Sequence, residues 1–187
     1  MRRHDEALAL IWADFTDSPD LPQYQRLKTH ADRIGRWPEW REKALTFTRD
    51  AIAKAQRGMG KTRLVWGAPV DHSGLVRVFL WEKDVDAAWR EAREGGCSSP
   101  LWLELAAKRE TDHPEDALPI YQGQIEPTLA QKHNQAYREA VGLLRRIGVL
   151  MGRLGRGAEF AAYLASVRAV HKPKRNFIAL LDGTKWP

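Results

Sequence analysis

The chain has 187 residues and a formal net charge of +6; 43% of the residues are hydrophobic and 29% are charged. These values are typical of one globular domain, and no run of about 18 apolar residues is present that would cross a membrane. Because Cys97 is the single cysteine, an intramolecular disulfide and a cysteine-based zinc site are excluded, and we expect a cytoplasmic protein without a signal peptide.

Three amphipathic helices are predicted in the first third of the chain. Apolar residues recur at helical spacing over residues 4–16. Ser18, which is followed by a proline, is typical of a helix N-cap and predicts a second helix that ends at Gly35. A third helix is expected over residues 37–58. Residues 58–72 contain three glycines and a proline, which predicts a loop.

Seven further helices are predicted after this loop, each from a capping residue, a proline or a glycine at its boundary. Pro119 falls inside the fourth of them and predicts a kink, and Pro127 is expected to separate this helix from the next. The first of these helices is predicted to start at Asp71 or Ser73, the second to run from Asp84 to Gly95, the third to start at Ser99, and the fourth to start at Asp112 or His113. The last three are predicted over residues 135–154, 158–170 and 176–181.

No segment alternates apolar and polar residues over the length of a strand, so we predict an all-α fold of stacked antiparallel helix pairs. One pair resembles a tetratricopeptide unit, because the letters PEDAL at residues 114–118 open its second helix and Tyr121 follows. Similar pairs recur at irregular spacing, which predicts a degenerate, tetratricopeptide-like right-handed superhelix. We expect a single domain over residues 1–187, comprising N-terminal helices (1–57), the loop (58–72) and a helical-repeat array (73–183).

The array also resembles a known protein region. The stretch 73–183, from SGLVRVFLWEKD through HPEDALPIY to KPKRNFIALLDG, is similar to the C-terminal helical region of bacterial SWIM-type zinc-finger proteins and of related uncharacterised bacterial proteins. The segment RWPEWREKAL extends the similarity to residue 36. The resemblance implies a tetratricopeptide-like helical fold of unassigned role. The zinc finger of those proteins lies upstream, and its Cys-x-Cys and Cys-x-His ligands are absent here, so zinc binding is not implied.

Patterns that would indicate catalysis are incomplete. The letters GMGKT at residues 58–62 are similar to the end of a phosphate-binding loop, but Ala55 stands where that motif requires its first glycine. The six histidines form no i, i+4 pair, so we expect no metal site. His72 lies between Asp71 and Ser73, and helix capping is the favoured role of these two neighbours. We predict no catalytic residue, no cofactor and no enzymatic activity.

Cys97 allows two interpretations. It follows two glycines and precedes a predicted helix start. A helix N-terminus lowers the pKa of a nearby thiol and would make it reactive. The favoured interpretation is a small side chain buried between helices.

Three glycines form a stripe on the long predicted helix. Gly148, Gly152 and Gly155 recur at i, i+4 and i+7. Because glycine costs a helix up to about 1 kcal/mol relative to alanine, the stripe predicts that another helix approaches closely. The expected neighbour is the helix over 158–170, and the alternative is a second copy of the chain in a homodimer. The small residues of that helix are Ala161, Ala162 and Ala165.

Positive charge is concentrated near the C-terminal end of the sequence. Residues 141–175 contain eight Lys or Arg against one acidic residue, Glu159, whereas residues 64–140 are net acidic. We predict that this basic set contacts a partner. Its members are Arg145, Arg146, Arg153, Arg156, Arg168, Lys172, Lys174 and Arg175.

The favoured function is a non-enzymatic protein-interaction module, because stacked helix pairs form extended binding faces. The preferred partner is an acidic segment of another protein, bound especially by Lys172, Lys174 and Arg175. The alternative is a nucleic-acid-associated protein that uses the same basic region in salt-dependent phosphate contacts. No nucleic-acid recognition motif accompanies these residues, and we expect no membrane partner.

Overall fold

A computed structural model describes residues 2–58 and 71–187, with side chains for 6–57 and 71–187. These residues contain ten helices and no strand, which confirms the predicted all-α class. Residues 59–70 of the predicted loop, with most of the GMGKT sequence, lie outside the described residues. The helices are α1 (Arg2–Asp17), α2 (Leu21–Asp32), α3 (Trp37–Gly58), α4 (Ser73–Trp81), α5 (Val85–Gly95), α6 (Ser99–Arg109), α7 (Pro114–Leu129), α8 (Asn134–Arg153), α9 (Gly157–Val170) and α10 (Arg175–Asp182).

The chain divides into two compact units, Met1–Leu101 and Trp102–Pro187. In the first unit α2 packs against α1, α3 and α4, and α4 packs against α5. In the second unit α8 packs against α7, α9 and α10. Helices that are neighbours in sequence therefore pack together, as expected for stacked helix pairs. The tetratricopeptide-like superhelix and the single domain stay predictions.

The start of α2 differs from the prediction. Ser18 is not the N-cap, because its amide still donates to the carbonyl of Asp14 in the last turn of α1. Asp20 has the extended conformation of an N-cap residue, and its carboxylate accepts the amide of Gln23 at 2.9 Å. The helix stops where expected, since Gly35 takes the left-handed conformation (φ +67°) that follows many helix C-termini.

One partly buried carboxylate, that of Glu82, connects three helices of the first unit. Tyr24 of α2 is 1% exposed, lies edge-on to Trp37, and donates its hydroxyl to Glu82 Oε1 at 2.8 Å. Arg41 of α3 donates to both oxygens of Glu82, with Nη2 at 2.6 Å from Oε2. Burial, together with the hydrogen bond to Glu82, raises the pKa of Tyr24. Because Glu82 follows the last residue of α4, its carboxylate connects that helix to α2 and α3.

Helix α7 is longer than predicted. It runs through Pro127 to Leu129, so the expected separation at Pro127 is wrong. A proline removes one hydrogen bond inside a helix. The face beside this proline is buried in the core that α7 shares with α8, where Ile125 and Leu129 are at most 1% exposed. Burial of this apolar face offsets the lost hydrogen bond. Pro119 also lies inside α7, and the kink there stays a prediction.

The glycine stripe on α8 makes one close contact. A Cβ at Gly148 would lie 2.8 Å from ring atoms of Phe160 and from Cγ of Pro187. The prediction is wrong at Gly152 and Gly155, since a Cβ there would meet no described atom within 4 Å apart from the adjoining backbone of its own segment. Gly155 instead has a φ of +72° and follows the end of α8. An aromatic ring, not a row of small residues, reaches α8 from α9. The exposed residues of α9 include Ala161, Ala162 and Ala165.

Candidate interaction surface

Three of the eight predicted basic residues lie together on one face of α8. Arg145, Arg146 and Arg153 line a surface cleft of about 220 Å³. The side chains between them are apolar: Val149 is 50% exposed, and Leu150 is buried. Residues three or four positions apart share a helix face, which explains why these five positions meet. The other lining residues are Glu110 and Thr111. We call this site the α8 cleft.

Arg153 is held by the backbone that follows α6. Its Nη1 donates to the carbonyl of Glu110 at 2.7 Å, and its Nη2 donates to the carbonyl of Thr111 at 2.6 Å. Carbonyls at a helix C-terminus lack partners within the helix, so a guanidinium satisfies them. Because both acceptors are neutral, Arg153 brings its full charge to the α8 cleft.

Arg146 is partly neutralised. Its guanidinium lies 5.5 Å from the ring centroid of Tyr121, and its Nε is 3.9 Å from Glu110 Oε2. The Tyr121 hydroxyl donates to the same Glu110 oxygen at 2.7 Å. Burial makes the largest contribution to a raised pKa of Tyr121, and the hydrogen bond to Glu110 raises that pKa further. The hydroxyl therefore stays protonated and acts as a donor at neutral pH. These contacts fix the position of Arg146 in the cleft.

Arg145 is the guanidinium of the cleft that remains available. It is exposed and forms no ion pair with the described residues. The cleft therefore combines three guanidinium groups with the single carboxylate of Glu110. An excess of positive charge lies directly beside the half-exposed side chain of Val149.

Two other members of the basic set are paired locally. Arg156 contacts Glu159 at 2.6 Å, three residues along the chain, and Arg168 forms an ion pair with Asp182. Hydrogen bonds from the two guanidinium groups lower the pKa of both carboxyl groups. These arginines are less available to a partner than the sequence suggests.

The remaining three residues do not form a uniform patch. Lys174 is half-buried, and its Nζ donates to Nδ1 of His171 at 2.8 Å. Nε2 of the same ring lies 2.8 Å from a carboxylate oxygen of Glu126, an arrangement of hydrogen bonds that suits a neutral imidazole protonated on Nε2. Lys172 and Arg175 are exposed and form no ion pair with the described residues. They lie outside the α8 cleft.

A buried charged cluster in the first unit was not predicted. Glu91 of α5 is 6% exposed; its Oε1 accepts from Arg49 Nη2 at 2.6 Å, and its Oε2 lies 2.9 Å from His72 Nδ1. The available signal was an acidic residue at helical spacing from Ala87 and Ala88 on the buried face of α5. A carboxylate at such a position requires partners. The cluster connects the start of α4 to α3 and α5.

The neighbours of His72 take part in backbone hydrogen bonds. Asp71 Oδ1 accepts the amide of Ser73 at 2.9 Å, but the N-cap residue of α4 is His72, whose side chain makes no capping hydrogen bond. The predicted capping role of Asp71 is therefore wrong. Ser73 does not cap this helix, because its hydroxyl accepts the amide of Ser98 at 2.9 Å. Both side chains are thus used by the backbone around the cluster.

The thiol of Cys97 is poorly ionised. Burial, with a smaller contribution from the negative charge of Asp71, raises the pKa of Cys97 to about 11. The alternative of a thiol activated by the following helix is therefore wrong, because desolvation outweighs the helix dipole. The Cys97 side chain is partly buried, which agrees in part with the favoured interpretation of a small side chain buried between helices.

We expect Cys97 to react slowly with iodoacetamide. Near neutral pH the folded protein should be alkylated about 100-fold more slowly than the same chain in denaturant, since only the thiolate reacts. The rate for the folded protein should continue to rise up to a pH of about 11. Mass spectrometry after timed quenching measures both rates. Equal rates in the folded and denatured chain would contradict the raised pKa.

Comparison of the chain with known proteins gives no relative from which a role could be transferred. Among the residues that the structure describes, no three His, Cys, Asp or Glu side chains are grouped so as to hold a metal ion. No helix in the described part is both long and apolar enough to cross a membrane. No protein-family model, curated protein or solved structure matches the chain significantly.

Proposed function

We propose that this chain is a non-enzymatic, cytoplasmic interaction module whose α8 cleft binds an acidic segment of another protein. The observation that carries the proposal is the exposed Arg145 beside the half-exposed Val149. A guanidinium next to an aliphatic surface suits a carboxylate that neighbours an apolar side chain. The expected ligand is a peptide segment in which Glu or Asp alternates with a residue such as Leu.

The other two arginines support this proposal because they are already ordered. Arg153 is fixed by two carbonyls, and Arg146 by the ring and hydroxyl of Tyr121. Side chains that are ordered before binding lose less conformational entropy when a ligand arrives. A carboxylate that approaches Arg145 therefore meets a positive cleft that needs little rearrangement.

Nucleic acid is the second candidate ligand. The observation in its favour is that Lys172 and Arg175 are exposed and without an ion pair among the described residues. Local pairing of Arg156 and Arg168 reduces the charge that the region would offer to phosphates. The apolar part of the α8 cleft also has no role in phosphate contacts. An acidic peptide is therefore the preferred ligand.

Charge reversal at Arg145 tests the acidic-peptide proposal. The probe is a fluorescein-labelled peptide with a Glu-Leu-Glu core and Gly-Ser flanks, followed by fluorescence anisotropy. Arg145→Glu is expected to weaken binding about tenfold, because an attractive charge becomes repulsive. Arg138→Glu is the matched control: it also lies on α8, is exposed, and hydrogen-bonds Gln135 outside the cleft.

The Arg138→Glu control and a DNA probe distinguish the acidic-peptide proposal from binding by net charge alone and from nucleic-acid binding. Equal losses for Arg145→Glu and Arg138→Glu would show that the peptide responds to net charge alone, which contradicts the proposal. A labelled DNA duplex is titrated in parallel. If the duplex binds more tightly than the peptide and Lys172→Glu with Arg175→Glu abolishes that binding, the nucleic-acid alternative replaces the acidic-peptide proposal.

A further inference from the structure

A larger cleft of about 560 Å³ lies on the surface of α1 and α3 in the first unit. Its apolar part consists of Trp12 and Phe47, whose ring centroids are 5.6 Å apart in an edge-to-face arrangement. Both rings are only partly buried, so part of each is accessible at the surface. We call this site the Trp12 cleft. Its lining residues are Trp12, Glu39, Glu42, Lys43, Thr46, Phe47 and Asp50.

The charge of the Trp12 cleft is opposite to that of the α8 cleft. Its three carboxylates follow one face of α3, since residues 39, 42, 46 and 50 are separated by three or four positions. Glu39 accepts from Arg36 at 2.8 Å, and this hydrogen bond lowers its pKa. Glu42 and Asp50 are exposed and form no ion pair with the described residues. Two negative charges are therefore available beside the aromatic rings.

The aromatic surface already binds an ammonium group of the chain itself. Lys43 Nζ lies 4.2 Å from the ring centroid of Trp12 and 4.5 Å from that of Trp40. A cation over the face of a tryptophan is attracted by the ring quadrupole, and tryptophan gives the strongest such contact. The position of Lys43 shows that this surface is suited in geometry and charge to a cationic side chain.

We propose that the Trp12 cleft binds a basic segment of a partner protein. One Lys or Arg of that segment lies against the Trp12 and Phe47 rings and pairs with Glu42, and a second pairs with Asp50, about 12 Å further along α3. The neighbouring aliphatic residue of the segment covers the remaining apolar surface. Lys43 competes for the face of Trp12 and repels the incoming cation, so it sets a limit on affinity. This interaction is separate from that of the α8 cleft and requires the opposite charge.

Three variants test the proposal with a fluorescein-labelled peptide that has a Lys-Leu-Lys core and Gly-Ser flanks. Lys43→Gln should bind the peptide about threefold more tightly, because it vacates a tryptophan face and removes a like charge. The double variant Glu42→Gln with Asp50→Asn should bind about fivefold more weakly. Asp17→Asn is the matched control, since Asp17 is an exposed carboxylate in the same unit outside the cleft.

Each alternative result overturns the proposal. Unchanged or weaker binding by Lys43→Gln would show that the tryptophan face is not used. A loss for Asp17→Asn equal to that of the double variant would show attraction to net charge only. The absence of peptide binding to both the wild type and Lys43→Gln would exclude the site. Arg145→Glu is expected to leave this assay unchanged, because Arg145 does not line the Trp12 cleft, so failure of the α8 proposal is detected separately.

Discussion

Gly148→Leu is expected to lower the free energy of unfolding by about 3 kcal/mol, whereas Gly152→Leu, one turn further along α8, should not lower it. At Gly148 even a Cβ would lie 2.8 Å from the ring of Phe160, which is 5% exposed and has little room to move. At Gly152 a Cβ would meet no described atom within 4 Å apart from the backbone of α8 itself. There leucine adds helix propensity, worth up to about 1 kcal/mol.

Urea denaturation followed by circular dichroism measures both changes. Because glycine is replaced by leucine at both positions of one helix, the effects of the substitution on the unfolded chain largely cancel when the two variants are compared. If Gly148→Leu fails to fold, the smaller pair Gly148→Ala and Gly152→Ala keeps the comparison. Equal destabilisation at Gly148 and Gly152 would mean that a helix approaches along the whole stripe, against the contacts described above.

Gly95→Ala should destabilise the first unit by about 2 kcal/mol although alanine is the better helix former. A Cβ at Gly95 would lie 1.9 Å from Cδ2 of His72. The imidazole must therefore move and release the contact of its Nδ1 with Glu91. The buried carboxylate then keeps Arg49 as its remaining charged partner in the cluster, and losing one hydrogen bond to a buried charge is costly.

A double-mutant cycle isolates this cause. His72→Ala removes the ring, so Gly95→Ala in that background should be neutral or slightly stabilising, because the space is vacant and alanine favours the helix. The stability of all four proteins is measured by thermal and urea unfolding. If the two substitutions are additive, the loss at Gly95 does not arise from contact with His72.

Helix boundaries were predictable where the deciding groups are local. Asp84 accepts the amide of Ala87, and Gly95 ends α5, as their residue types indicate. The prediction failed at Ser18, whose amide belongs to the last turn of the preceding helix. It also failed at Pro127, where burial of the α7 face outweighs a local helix-breaking preference. The failure at Ser18 arises because α1 runs on to Asp17, and that at Pro127 arises from packing against α8 that the local pattern does not contain.

The candidate site was predictable only in part for the same reason. Helical spacing indicates that Arg145 and Arg153 share a face of α8. It does not reveal that Arg153 hydrogen-bonds Glu110 and Thr111, more than 40 residues earlier in the chain. The sequence also favoured Lys174 as a free cation, because its contact with His171 depends on the turn between α9 and α10. Counting charges in the sequence locates a basic region. Contacts in the folded chain determine which of its cations remain available to a partner.

The carboxylate of Glu82 has a consequence for how the first unit opens. The carboxylate accepts hydrogen bonds from Tyr24 of α2 and Arg41 of α3, and Glu82 is the residue that ends α4. Separation of any one of these helices breaks a hydrogen bond to a largely buried charge, which makes isolated fraying costly. We therefore expect amide protons in the buried turns of the three helices to exchange with solvent in one cooperative event, at similar protection factors.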